Sequence, residues 1–448
     1  MTKQISIRRG YDIKLVGSAT STLTDLPLSN IIAIRPPDFP LFFPKLLVET
    51  GDEVQAGSPL FFDRNHPNLR IPSPVSGEVT EIVRGEKRRI MEVRILPDQK
   101  ETRYLTFLEK PTTNLDREKI LDILIESGCW SYFRQRPFSI IANTADQPKA
   151  IFVSCFDSSP LAPDLAFVCS QEPESFKAGL EILRALCQNV HLGVRADDTS
   201  DVWTQLPEVH IHKISGPHPA GNVGIQIHHI DPIRKDDIVW YIHPQDLLII
   251  GRLFREGRYR ADRIVALTGS CVKQPQYYRL QTGQPLQDIL NDQLTGEKCR
   301  IIQGNVLSGK KAVAEDFLSF NTNQLTVIPE GDEPEFLGWL LPGFKKLSLS
   351  RTFFSWLAKN RTYDLDTNLH GEERAFVLTG QYEKVLPMNI MPVVLLKAIL
   401  AKDIEQMEQL GIYEVAEEDF ALCEFICTSK IEVQRIISEG LELARTET

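Results

Sequence analysis

The sequence predicts a multidomain α/β protein, and three patterns carry that reading. Short alternating β runs, split by Gly and Pro, fill the first hundred residues. Apolar strands and amphipathic helices alternate between 115 and 265, and helical periodicity dominates from 392 onward. At roughly 100–200 residues per domain, 448 residues make about three domains. The patterning divides them into a β-rich unit over 1–105, a layered α/β unit over 106–261, a small β unit over 262–330 and a mainly helical region over 331–448. The net charge of −10 argues against general nucleic-acid binding, because a polyanion would be repelled on average.

The elements follow in order. Leu46–Leu60 holds a strand, a Gly-Asp turn and a second strand, and Ile71–Val83 adds a turn and an alternating strand. Arg84–Arg89 is a charged hairpin tip, and Ile90–Leu96 returns. This spacing resembles a lipoyl-type barrel-sandwich domain. The turn Asp63–Arg70 lacks the lysine that a carrier domain needs for amide attachment of its cofactor, so a structural role is expected. Leu115–Ser127 and Glu174–Asn189 read as amphipathic helices. Ala150–Cys155, Glu208–His212 and Asp246–Gly251 read as strands, which together argue for a Rossmann-like layer. Arg263–Thr268, Tyr277–Gln281 and Cys299–Gln303 are predicted strands of a β-grasp-sized unit, with a short helix from Pro285 to Leu290. Pro392–Leu410 is a predicted helix closed by Gly411. Glu417–Asp419 opens another that runs through Cys427, and Ser429–Glu432 has the capping-box pattern for a last one.

No stretch reaches the ~18 consecutive apolar residues that span a bilayer, and Met1–Gly10 carries no apolar core of a secretory leader. Eight cysteines without a C-x-x-C pair fit a reducing compartment. Membrane attachment is therefore expected to go through a partner.

Several motifs invite chemistry and fall short of it. Gly304–Lys311 matches G-x-x-x-x-G-K, but Lys311 stands where a magnesium-ligating hydroxyl belongs, so a β-turn is expected. Gly221 and Gly224 supply only G-x-x-G, and Ile225–Ile227 after them looks extended, which argues against a dinucleotide fingerprint. Seven of nine histidines lie between His191 and His243 without recognisable zinc spacing. Five arginines between Gly251 and Arg263 suit either an anionic surface or a solvated strand edge with local ion pairs. Cys423 and Cys427 are one helical turn apart, two ligands short of a cluster. No catalytic residue and no metal ligand can be singled out.

Other segments carry a resemblance. Glu126–Trp130 with Arg136–Ser139, Gly221–His228, Val265–Gly269, Gly304–Gly309, Phe336–Trp339, Gly371–Ala375, Met388–Pro392 and Leu422–Cys427 occur in an order that resembles the A-subunit family of the bacterial sodium-translocating NADH:quinone oxidoreductase. That resemblance implies a barrel-sandwich domain, a Rossmann-like domain, a β-grasp-like (SLBB) domain and a helical end. It implies a peripheral member, on the cytoplasmic side of the bacterial inner membrane, of a six-subunit pump that couples NADH oxidation and quinone reduction to sodium export. Its partners would be the other subunits, above all the membrane-embedded quinone-side subunit. The family is similar to the flavin-binding NADH subunit of respiratory complex I and to the C subunit of Rnf-type complexes. Where those hold flavin in a glycine-rich loop, this chain has Gly128–Arg136, whose bulky aromatics and arginines would block a flavin phosphate. The resemblance therefore implies that this chain binds no cofactor, with flavins and an iron–sulfur centre in partner subunits and quinone as the complex's substrate. Quinone-proximal candidates are Trp130, Phe133, Arg134, Arg136 and Trp339. The alternatives are a flavin-bearing NADH-oxidising subunit of an Rnf- or complex-I-like assembly, or a non-catalytic scaffold.

Overall fold

The computed structural model describes residues 3–447 except 204–205, 297, 333–337, 339, 350 and 359–360. Its described strands form four sheets. The first β unit pairs a four-stranded sheet, ordered Ile32–Ile34, Ile90–Pro97, Gly77–Arg84, Glu53–Val54, with a three-stranded one, ordered Pro44–Leu46, Pro59–Asp63, Arg70–Pro72. Inward residues such as Ile34, Phe61, Ile71, Val79 and Val93 are buried in one cluster, while Glu78 and Thr80 face water, the alternation of half-buried strands. The chain before Ile32 serves other sheets. Gln4–Ser6 runs parallel to His210–Ser215, and Thr20–Asp25 runs parallel to Gln276–Gln281.

The central layer is a seven-stranded sheet, ordered Gln4–Ser6, His210–Ser215, Val190–Arg195, Ala150–Ser154, Val239–Tyr241, Arg134–Arg136, Ile140–Ile141. The first five strands are parallel, and Arg134–Arg136 joins antiparallel to its two neighbours. Ala150–Val153 is wholly buried, as an apolar run in a covered parallel sheet should be. The predicted helices appear as Arg117–Glu126 and Pro173–Leu186.

Two predicted strands are helices. Asp246–Gly251 lies inside the helix Pro244–Glu256. Eleven of that helix's thirteen residues are buried, so its apolar run has no polar face to reveal a helical period. The punctuation does mark it. Pro244 occupies the first turn, His243 Nδ1 accepts from the Gln245 amide at 3.2 Å, and Gly257 closes the end at φ 72°. A methyl group added at Gly251 would sit 1.7 Å from the Ser175 carbonyl oxygen, so this helix lies against Pro173–Leu186 closer than any side chain allows. Ile225–Ile227, expected to be extended, belongs to the helix Val223–Ile230, because a two-residue apolar spacing fits either period.

A six-stranded sheet follows, ordered Lys310–Ala312, Cys299–Gln303, Gln324–Pro329, Asp262–Thr268, Gln276–Gln281, Thr20–Asp25. Gly304–Gly309 is the turn between two of its strands, held by Asn305 Oδ1, which accepts from the Leu307 and Ser308 amides. In the helical region, the predicted helix over 392–410 breaks in two. Lys402 takes a left-handed conformation, and the Asp403 side chain caps Ile404–Gln409 by accepting from Gln406 at 3.0 Å. The last helix is Val433–Glu447. Ser429 does not start it; its hydroxyl donates to the Ala375 carbonyl instead. Among the described residues, no helix is long and apolar enough to cross a membrane.

Candidate functional site

A cavity of about 540 Å³ opens beyond the C-terminal ends of Ala150–Ser154 and Val239–Tyr241. Ligands of open parallel sheets gather at that edge, where the strands deliver side chains and a helix begins. The chain reaches it from several directions. The strand Ala150–Ser154 runs out into Phe156, Asp157 and Ser159, the loop before Val223–Ile230 brings His218, Gly221 and Asn222, and Tyr132 and Arg134 come from the turn below. Hairpin residues Asn305 and Leu307, loop residues Asn321 and Asn323, and Glu418 close the remaining sides.

The loops are tied before any ligand arrives. Ser154 Oγ donates to the Gly221 carbonyl at 2.8 Å, and the Gly221 amide donates to Ser158 Oγ at 2.8 Å. A methyl at Gly221 would meet Ser158 N at 2.5 Å, so that crossing depends on glycine. Ser158 Oγ stands 3.1 Å from His218 Nδ1. Burial pulls the His218 ring below its ordinary pKa, against the opposing charges of Asp157 and Asp12 and the nearby Ser158 backbone. Asn222 holds the N-cap position of Val223–Ile230 without capping it; its Nδ2 donates to the Glu418 carbonyl at 2.9 Å.

Three arginines near this edge have different fates. Arg263, fully buried, donates to Asp246 at 2.7 Å, to the Phe320 carbonyl and to Asn323 Oδ1. Arg136, also fully buried, meets Glu418 at 2.6 Å and Asp419 at 3.5 Å, which ties the sheet to the C-terminal region. Burial pushes the Asp419 carboxyl up to about 7; Arg136 pulls it back, and Glu418 adds to the rise. The shorter contact marks Glu418 as the principal counter-ion. Arg134 makes no ion pair or side-chain hydrogen bond among the described residues.

The quinone-proximal candidates therefore separate. Trp130 and Phe133 stack at 4.8 Å and pack edge-on against Trp240, and Trp130 Nε1 donates to the Ala142 carbonyl at 2.7 Å. Both are core residues, each about 1% exposed or less. Arg136 is charge-paired with its carboxylates, although its Nε and Nη1 make no hydrogen bond among the described residues; Arg134 lines the cavity, and Trp339 lies outside the described residues, as does Phe336. Parity separates two of them: Phe133 is extended and directly precedes the strand Arg134–Arg136, so it and Arg134 point to opposite faces. Arg134 and Arg136 share a face, and what divides them is position, because only Arg136 lies within reach of Glu418 and Asp419.

The arginines of 251–263 each find a partner within the fold. Arg252 bonds Glu172 at 2.7 Å and Asp262 at 3.2 Å, Arg255 donates to Ser175 Oγ, Arg258 bonds Glu256, and Arg260 bonds Glu256 and Asp262. His191 Nδ1 and His212 Nε2 lie 2.9 Å apart, His228 meets Glu414, and His229 meets the Pro387 carbonyl. Among the described residues, no three His, Cys, Asp or Glu side chains are grouped to hold a metal ion. Cys423 and Cys427 are buried free thiols. His218, Asn222, Ser159 and Asn321 escaped the sequence reading. The signal for His218 and Asn222 was the glycine pair 221 and 224 between a strand and a helix, hidden by reading that helix as extended; no pattern marks Ser159 or Asn321.

Family models match the chain at residues 5–98 (NqrA N-terminal barrel-sandwich hybrid domain), 115–259 (NqrA second alpha/beta domain) and 264–314 (NQRA C-terminal domain). Among curated proteins, the A subunit of the Na(+)-translocating NADH-quinone reductase of Rhodopirellula baltica is 37% identical over 447 residues, covering 98% of each chain. The proteins of the same name from Vibrio anguillarum and Haemophilus influenzae are 34% and 35% identical, each covering 99% of this chain and all of its own. A chain of an NAD+-reducing [NiFe]-hydrogenase overlays half of this one at 15% identity and a TM-score of 0.37, too low to establish a shared fold. With identity of this degree sustained from end to end, the chain belongs to the A-subunit family of the Na(+)-translocating NADH-quinone reductase, an oxidoreductase complex, and no catalytic residue is identified in it.

Proposed function

We propose that this chain works as a cofactor-free peripheral subunit of the sodium-translocating NADH:quinone reductase, assembled with five other subunits on the cytoplasmic side of the bacterial inner membrane, and that it contributes to quinone binding. Flavins and an iron–sulfur centre would reside in the partners, and the membrane-embedded quinone-side subunit is the main contact. The observation that carries the reading is the packing of 128–136. A flavin phosphate needs open backbone amides. Here the Ser131 amide donates to the Gly128 carbonyl and the Phe133 amide to the Trp130 carbonyl, with the aromatics in the core. That segment does not fit a flavin phosphate, and no step is derived through one.

The unit boundaries near 105, 261 and 330 belong to the same proposal, as do the Rossmann-like and β-grasp-like descriptions. Sheet pairing supports these boundaries from Ile32 onward, while residues 4–25 act as strands for the later units. The flavin-bearing alternative has one observation in its favour, the cavity at the sheet's C-terminal edge.

The test is reconstitution. Removing this subunit from the purified complex should abolish sodium-dependent NADH:quinone activity, and adding the colourless chain back should restore it. Undiminished activity without it would end the subunit reading, and a stoichiometric flavin absorbance in the isolated chain would replace the cofactor-free one. A photoreactive quinone should label the peptide containing Arg134. Labelling confined to partner subunits would remove the quinone contribution.

A further inference from the structure

The cavity holds more polar groups than the protein satisfies. Buried polar atoms almost always find partners, and each exception asks for an explanation. His218 Nε2, Ser159 Oγ and Asn321 Oδ1 are buried without one, and all three residues line this cavity. His218 is 3% exposed, so its orphaned nitrogen is not turned to bulk water. The Gly221 amide donates to Ser158 Oγ, and the Ser158 hydroxyl can in turn donate to His218 Nδ1. In that arrangement the neutral ring carries its proton on Nε2, a donor without an acceptor.

The charges point the same way. Of the cavity's carboxylates, Asp246 is neutralised by Arg263 at 2.7 Å and Glu418 by Arg136 at 2.6 Å. Asp157 accepts the Ser159 amide through Oδ1 at 2.7 Å, and its second oxygen is left for a donor. Arg134 is the lining cation that no carboxylate has claimed among the described residues. The Val223–Ile230 helix begins at the same cavity with no side-chain hydrogen bond to its first amides, and the Asp419 carboxyl already packs against its first turn at Gly224.

We propose that this cavity binds a small hydroxylated oxyanion, with its phosphate or carboxylate group held by Arg134 and His218 Nε2–H, and a hydroxyl given to Asp157. The assignment does not depend on the quinone reading and competes with it for this cavity, since a neutral quinone is the rival occupant of the space beside Arg134.

Calorimetric titration of the full-length chain with ribose 5-phosphate, inorganic phosphate and ubiquinone-1 tests it. Ribose 5-phosphate should bind more tightly than inorganic phosphate. Arg134→Gln should weaken it by roughly tenfold or more, the loss expected for a hydrogen bond to a charged group. His218→Gln is the second variant, expected to weaken binding in the same direction, and Arg134→Lys should restore part of it. The proposal is overturned by absence of binding of either phosphate, by binding indifferent to both variants, or by ubiquinone-1 binding where neither phosphate does. That last result would sustain the quinone reading alone.

Discussion

Replacing Arg136 with methionine keeps an unbranched apolar stem and deletes the cation that, among the described residues, meets both Glu418 and Asp419. The two carboxylates differ in exposure. Glu418 is about a third exposed and returns to water at little cost, whereas Asp419 is fully enclosed. Its Oδ2 accepts the Ala416 amide at 3.1 Å, so the side chain cannot swing out without breaking the turn that starts the C-terminal helices. Stripping a buried charge of its partner costs about 3–5 kcal/mol. Protonation relieves that cost, and this sets the pH dependence. An acid whose folded pKa exceeds its ordinary value contributes stability that is complete below the ordinary value and is lost as pH rises through the folded one. For Asp419 these limits are 3.8 and about 7. Without Arg136 the upper limit moves higher still, because the charge that pulled it down is gone. Urea unfolding of the full chain, followed by tryptophan fluorescence, should therefore show a modest loss for Arg136→Met at pH 5 and a loss of about 3 kcal/mol or more at pH 8. A loss below about 1 kcal/mol at pH 8, or one larger at pH 5, would refute the placement of Arg136 as counter-ion to an enclosed carboxylate.

Three further outcomes follow from the packing and the titrating groups. Gly251→Ala should destabilise the chain by at least the roughly 1–3 kcal/mol of an overpacked core, because its methyl meets the Ser175 carbonyl oxygen at 1.7 Å; a thermal midpoint equal to wild type would contradict the helix contact. His191 and His212 are both pulled down to about 4, chiefly by burial, with neighbouring positive charge adding to it. Their ring proton resonances should titrate near pH 4, and midpoints near 6.5 would reject the burial of the two rings; a base lowered in the fold gives stability above its ordinary 6.5 that is lost as pH falls toward the folded value. Cys129, Cys155, Cys169 and Cys423 are buried thiols pushed up by desolvation, so a maleimide should label partly exposed Cys187 and Cys299 first in the native chain; early labelling of Cys155 or Cys423 would show that the core opens.

Much of the architecture is legible because local rules and the tertiary fold agree. The alternation in Gly77–Arg84, the apolar run Ala150–Val153 and the amphipathic stretch that became Pro173–Leu186 need no knowledge of their neighbours. Failures came where burial erased the period. Leu247–Ile250 is enclosed on every side and looks like a covered strand, although Pro244 and Gly257 bracket a helix. Composition also cannot say which strand an early segment joins. Gln4–Ser6 finds its partner more than two hundred residues later at His210–Ser215. Pro392–Leu410 has continuous helical periodicity, and the break at Lys402 becomes visible only through the Asp403 cap that restarts the next helix.

The candidate site was less legible, for a reason that bears on how it works. Trp130, Phe133 and Arg136 stand out in the sequence as large or charged residues in one segment, and those properties are what the core and the Glu418 pair take up. A side chain available for binding is defined by what it lacks, and a missing partner is a tertiary fact. Arg134 differs from Arg136 by two residues and has the same charge, yet one is spent and the other is not. His218 differs from six neighbouring histidines in that one of its nitrogens is buried with no acceptor or donor among the described residues. Function at this edge of the sheet thus depends on which polar groups the fold leaves unsatisfied. A variant that supplies an internal partner should silence the cavity as effectively as one that deletes Arg134: Val223→Asp, at the cavity-lining start of the Val223–Ile230 helix, would offer Arg134 a carboxylate and compete with any oxyanion. If ribose 5-phosphate bound this variant as well as it bound the wild-type chain, the unpaired state of Arg134 would not be what the cavity uses.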